Sequence, residues 1–194
     1  MILTVMDLVC KTMRCETESA PVPTTQYFSM KLRYFFTPLA AVMVISLGVY
    51  LTTSKALAPK SSFVMLDGSK RDETSLKGKV TLVNFWATSC TSCVAEMPRL
   101  VSTFEKYKPS GFDTIAVAMS YDPPSYVVNF AQTRQLPFSV AIDNTGSLAK
   151  AWGDVKLTPT TYLVNKRGEV VKRYIGEPDF VELHQLIEKL LAEA

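Results

Sequence analysis

Histidine is almost missing from this chain: His184 is the only one in 194 residues, and four cysteines are the only other soft ligands for a metal apart from methionine. A structural zinc site takes four Cys, His or carboxylate ligands in closed geometry, and Cys90, Cys93 and His184 fall short of that set. A copper-delivery site of the C-x-x-x-C type would need a longer cysteine spacing and a histidine at a second site, and both are missing. A basic stripe is missing too. The net charge is +3, and apart from pairs such as Lys70-Arg71 and Lys166-Arg167 the basic residues alternate with acidic ones, which argues against a nucleic-acid partner. There are no internal repeats, and no low-complexity sequence follows residue 60. With 47% hydrophobic and 20% charged residues, the chain has enough apolar side chain for one core and is short for two.

Charge disappears entirely over residues 34–54, YFFTPLAAVMVISLGVYLTTS, a run of 21 residues. A helix needs roughly 20 apolar residues to cross a bilayer core, and this run has no polar face with which a soluble helix would meet water. Lys31 and Arg33 precede it, so the positive-inside rule keeps the N-terminus cytoplasmic and sends the rest across the membrane. Ala56-Leu57-Ala58 resembles a small-residue cleavage signal, but Pro59 would follow the cut and obstruct a peptidase, so an uncleaved signal anchor is expected. Residues 1–29 do not look like the start of an exported protein, and Met30 is an alternative start. If the leader is made, ETESAPVPTTQ (16–26) has the composition of a flexible segment, and Cys10 and Cys15 stay reduced in the cytoplasm, away from Cys90 and Cys93. The expected division is a cytoplasmic segment 1–33, an anchor 34–54, a linker 55–60 and a globular domain 61–194.

Beyond the anchor, SSFVMLDGSKRDETSLKGK (61–79) reads as two short strands around an Asp67-Gly68 turn. VTLVNFWA (80–87) is nearly continuous in apolar residues, the pattern of a central strand buried on both faces. From Thr91 the period becomes helical, with Val94, Met97, Leu100, Val101, Phe104 and Tyr107 on one side. A buried strand at 112–120 and a helix from about Pro124 to Gln135 follow, an alternation that predicts parallel strands. Next come a short strand (137–143), a helix ending near Trp152, a hairpin around Lys166-Arg167-Gly168 and a last amphipathic helix over 178–192. The predicted class is α/β with a mixed central sheet.

The cysteines at 90 and 93 stand where the central strand gives way to the helix. A purely structural disulfide there would close so small a loop that it would remove little unfolded-state entropy. Redox chemistry is the leading reading. Unpaired backbone N–H groups at a helix start favour a thiolate at Cys90, which makes it the nucleophile; Cys93, one turn on, is placed to resolve a mixed disulfide. Thr91 and Ser92 between them carry no charge, so the thiol is depressed less than a cationic dipeptide would depress it.

VNFWATSCTSC, its continuation VAEMP and the later LTPTTYLVNKRGEVV together resemble the membrane-anchored, thioredoxin-like disulfide reductases of the TlpA/ResA type, over roughly residues 60–192. The resemblance implies a thioredoxin-like fold, no bound cofactor or metal, and a Cys90–Cys93 redox centre. It implies a cis peptide bond before Pro159, with Trp86, Thr158 and Pro159 forming the surface that meets substrate. It also implies a catalytic role for Glu96, three residues after Cys93, as a carboxylate exchanging protons with the thiols, and a bend at Pro98. On the helical wheel Glu96 flanks the apolar face, so partial burial is expected. The chain departs from the pattern twice. Ser89 replaces a second tryptophan, and Asn84 stands where cytoplasmic thioredoxins carry a buried aspartate. The insert over 121–137 resembles the extra element of the TlpA-like branch.

Implied partners are a membrane thiol donor of the DsbD/CcdA type and exported substrates such as apocytochrome c or copper-delivery proteins. The implied location is the bacterial cytoplasmic membrane, with the domain on its periplasmic or outer face. Two other functions remain open: a disulfide-forming oxidase, whose type places a histidine between the cysteines, and a binding module that captures a metal or partner without turnover.

Overall fold

The computed structural model describes residues 56–193; the expected leader, anchor and Cys10 and Cys15 lie outside these residues. Its centre is a five-stranded sheet in the order β5-β4-β3-β6-β7, with β3 (Val80–Trp86) in the middle and every one of its residues buried. β4 (Phe112–Ala118) and β5 (Ser139–Ile142) run parallel to it, while β6 (Thr160–Val164) and β7 (Val170–Ile175) form the antiparallel half. Parallel pairing follows from the helices that connect these strands, α1 (Thr91–Tyr107) and α2 (Pro124–Thr133); the antiparallel hairpin follows from the short turn between β6 and β7. A separate antiparallel pair, β1 (Ser62–Val64) with β2 (Lys70–Asp72), flanks the domain start. The short α3 (Ser147–Ala151) and the closing α4 (Phe180–Ala192) complete the order. Among the described residues no helix is long and apolar enough to cross a membrane.

Side-chain parity along β3 divides the core in two. Val80, Leu82 and Trp86 face a cluster containing Cys93, Met97, Leu100 and Phe104 of α1 and Leu183, Ile187 and Leu190 of α4. Val83 and Phe85 face the other way, onto Leu148, Trp152 and Tyr162. Successive strand residues point to opposite faces, so Asn84 shares the face of Leu82 and Trp86 and lies under α1. Each side of the sheet therefore has its own apolar cover. Before β1, Ala58 N donates to the Gly168 carbonyl and Val170 N to that of Ala56, both at 2.8 Å, which ties the start of the domain to the β6–β7 turn.

Candidate active site

The last residue of β3, Trp86, and the first of α1, Thr91, are joined by a tight loop that carries Cys90 as the helix N-cap. Cys90 and Cys93 form a disulfide with their Cα atoms 5.2 Å apart. Their surroundings differ. Cys90 is half-buried, receives the Cys93 backbone N–H on Sγ at 3.2 Å and has Ser92 Oγ at 3.5 Å, whereas Cys93 is 0% exposed and packs in the apolar cluster. An accessible sulfur at a helix N-terminus and a shielded partner one turn later suit attack by the first and resolution by the second.

The loop is held from outside. Asp122, 3% exposed, accepts from both the backbone N–H and the hydroxyl of Thr88 at 2.6 Å each, and Met119 N donates to the Trp86 carbonyl at 2.9 Å. Sequence reading missed Asp122: its position before Pro123-Pro124 marks a helix start, while its partner lies 34 residues back. An aspartate directly ahead of a proline pair was the available signal.

Glu96 is fully buried, not at the half-buried helix edge that its place on the wheel suggests. The cause is that Glu96 turns toward Asn84 of β3, so a position flanking the apolar face is also enclosed. Asn84 Nδ2 donates to Glu96 Oε1 at 3.0 Å and to Thr161 Oγ1 at 2.9 Å. Glu96 Oε2 and Asn84 Oδ1 have no hydrogen-bond partner among the described residues. Burial raises the Glu96 carboxyl from the ordinary 4.5 to about 7; Asn84 and Arg99 pull it down, and Glu177 adds to the rise. A buried carboxyl that titrates near neutrality can take and return a proton there.

The Thr158–Pro159 peptide bond is cis. Pro159 is buried, its carbonyl receiving Gly176 N at 2.8 Å, and the half-buried Thr158 has its hydroxyl 3.2 Å from that of exposed Tyr121. Trp86, expected at the substrate surface, is 0% exposed, its ring centroid 5.0 Å from that of Phe130. It shares its face of β3 with Leu82 and packs in the cluster that contains Cys93. His184 stands apart on α4, its Nε2 2.9 Å from Thr103 Oγ1 and its ring edge-on to Tyr107 and Phe180. Burial and Lys106 lower its basicity.

The family model described as Redoxin matches residues 53–187. The thiol-disulfide oxidoreductase ResA of Bacillus thuringiensis subsp. konkukian is 35% identical over 133 residues, which are 69% of this chain and 76% of that protein. The ResA of Halalkalibacterium halodurans is 31% identical over 176 residues, 84% of this chain and 99% of its own. Among solved structures, a candidate thioredoxin of Neisseria meningitidis superposes with a TM-score of 0.67 at 38% identity, covering 73% of this chain and 93% of the other.

Proposed function

The chain belongs to the ResA-like thiol-disulfide oxidoreductases of thioredoxin-like fold, and on that premise we propose that it reduces disulfides of exported proteins through Cys90 and Cys93. The observation that carries the reading is the asymmetry of the pair: Cys90 half-exposed at the helix cap, Cys93 buried beside a buried glutamate one turn on.

In the reduced enzyme the Cys90 thiolate attacks one sulfur of a substrate disulfide, forming a mixed disulfide and releasing the other sulfur as a thiolate, which takes a proton from water. Cys93 then gives its proton to the Glu96 carboxylate and attacks Cys90 Sγ. The second substrate sulfur leaves as a thiolate and takes the proton that Glu96 received, which returns Glu96 to its carboxylate, and the enzyme is left with the Cys90–Cys93 disulfide. Two electrons and two protons have passed to the substrate. Thr158 and Pro159, at the cis peptide bond, together with Tyr121, whose hydroxyl is 3.2 Å from that of Thr158, are the residues we assign to substrate docking.

Regeneration needs a dithiol from another protein, and a membrane donor of the DsbD/CcdA type fits a domain carried on a membrane anchor at residues 34–54. In this reading residues 1–33 are cytoplasmic, 55–60 are a linker, and 61–194 form the catalytic domain on the periplasmic or outer face of the bacterial cytoplasmic membrane. Apocytochrome c thiols and copper-delivery thiols are the substrate classes that fit. A redox titration paired with insulin reduction tests the proposal. A low potential with turnover is expected. A high potential would make the protein an oxidase, and absence of turnover would make it a binding module.

A further inference from the structure

The residue that the catalytic scheme leaves unused is Asn84, a polar side chain at the centre of the most buried strand. Strand parity puts it beneath α1, and the β3–β6 register sets it directly opposite Thr161. Asn84 is 0% exposed, as are Glu96 and Thr161. Both protons of its amide nitrogen are committed, one to Glu96 Oε1 at 3.0 Å and one to Thr161 Oγ1 at 2.9 Å.

We propose that Asn84 is a positioning residue for the proton transfer: it grips Glu96 by one oxygen, favours the ionised carboxylate, and leaves Oε2 as the oxygen that receives the thiol proton. The inference rests on the reading of Glu96 as proton acceptor.

Three observations support it. An amide N–H donated to a carboxylate is a charge-assisted bond, which strengthens when the acceptor ionises, so Asn84 opposes the burial that holds the proton on Glu96. Thr161 fixes the amide from the neighbouring strand, so the donor cannot swing away without losing two bonds. The unpartnered Glu96 Oε2 is a costly feature in a buried site and is explained if that oxygen must stay open to a proton. The charged and titratable groups around Glu96 are Cys93 and Arg99 on α1 and Glu177 on the turn between β7 and α4; from the strands come the neutral Asn84 and Thr161. Arg99 is already engaged by Glu177 at 2.7 Å and lies 3.9 Å over the Phe180 ring, which leaves Asn84 as the one direct donor to the carboxylate among the described residues.

An aspartate at this position would act in the opposite sense. It would remove the donor and place a second carboxylate against the first, and two such groups in hydrogen-bond contact do not ionise together.

The experiment follows the Glu96 side-chain carboxyl by carbon NMR against pH in the oxidised full-length protein, with Glu96→Gln identifying the signal. Asn84→Leu should move the midpoint up by about one pH unit, the size expected for losing a charge-assisted hydrogen bond. Asn84→Asp, which keeps the size of the side chain, should move it further and split the titration in two. Thr161→Val, which retains the donor but frees its rotation, should produce a smaller upward shift. In each variant the pH profile of mixed-disulfide resolution should follow the NMR midpoint. A Glu96 midpoint unmoved in these variants would overturn the positioning role and leave the proton-acceptor reading intact. A resolution profile unchanged by Glu96→Gln would overturn the proton-acceptor reading itself, whatever the NMR midpoints do.

Discussion

At the scale of single residues, the two sulfurs are chemically identical in the sequence and separated only by surroundings. Cys90→Ser should abolish insulin reduction, while Cys93→Ser should leave a nucleophile that accumulates in mixed disulfides; equal trapping by both variants, read on non-reducing gels, would reverse the assigned order. Glu96 allows a second prediction. Its carboxyl holds a proton more tightly in the folded chain, at about 7, than the ordinary 4.5. The stability contributed by that proton is complete below 4.5 and is lost as pH rises to about 7, a change on the order of 3 kcal/mol by linkage. Urea unfolding of the oxidised protein should show this fall, and Glu96→Gln should remove it. The cysteine pair was legible because its spacing at a strand-to-helix junction is local, whereas Glu96 came from the family resemblance and its full burial was not foreseen. The resemblance put Trp86 at the substrate surface, whereas a strand covered on both faces buries it whichever way it points. Asn84 could be identified as a departure, yet its partners lie 12 and 77 residues away, beyond what spacing can express.

At the scale of elements, the helix-cap loop carrying Cys90 depends on a tie from the segment that precedes α2. Asp122 takes two hydrogen bonds from Thr88, so removing it strands a half-buried backbone N–H and frees the turn that orients the nucleophile. Asp122→Ala should cost about 2 kcal/mol, the range for a buried bond to a charged group, and should slow insulin reduction even where the domain remains folded. Equal stability with equal turnover, measured by urea unfolding and the insulin assay, would reduce Asp122 to a spectator. The closing helix has a simpler dependence. Asp179 caps α4 through Val181 N at 2.8 Å and Glu182 N at 3.2 Å, and Asp179→Ala should cost about 1 kcal/mol without changing the exchange rate. The positions of these elements were readable from periodicity: apolar runs marked β3 and β4, and the helical period marked α1 and α4. Their ends were less readable. The second helix, expected to reach Gln135, stops at Thr133, where the chain turns through a positive φ at Gln135 to enter β5. A turn built on a non-glycine residue leaves no compositional mark.

At the scale of the whole molecule, folding and oxidation share one thermodynamic cycle, so the direction of electron flow can be read from stability. A fold that stabilises its dithiol is a strong oxidant, and a fold that stabilises its disulfide is a reductant. Here the reduced state gains little. The Cys90 thiolate would have the Cys93 N–H and the helix start, but Thr91 and Ser92 bring no positive charge, and the buried ionisable group one turn after Cys93, Glu96, is an acid. The mixed parallel and antiparallel pairing was legible from the alternation of helices and from the β6–β7 turn, yet this balance of charges was not, because it depends on which side chains the packing of α1 on the sheet encloses. The oxidised protein should therefore unfold at higher urea than the dithiol-reduced protein. Each 30 mV by which the folded pair is more reducing than an unfolded C-x-x-C corresponds to about 1.4 kcal/mol of that difference. The difference should narrow in Glu96→Gln above neutral pH, where the native carboxylate is ionised and the substitution removes its repulsion of the thiolate. A reduced form more stable than the oxidised one would reverse the sign of the cycle and make this protein a donor of disulfides rather than of electrons.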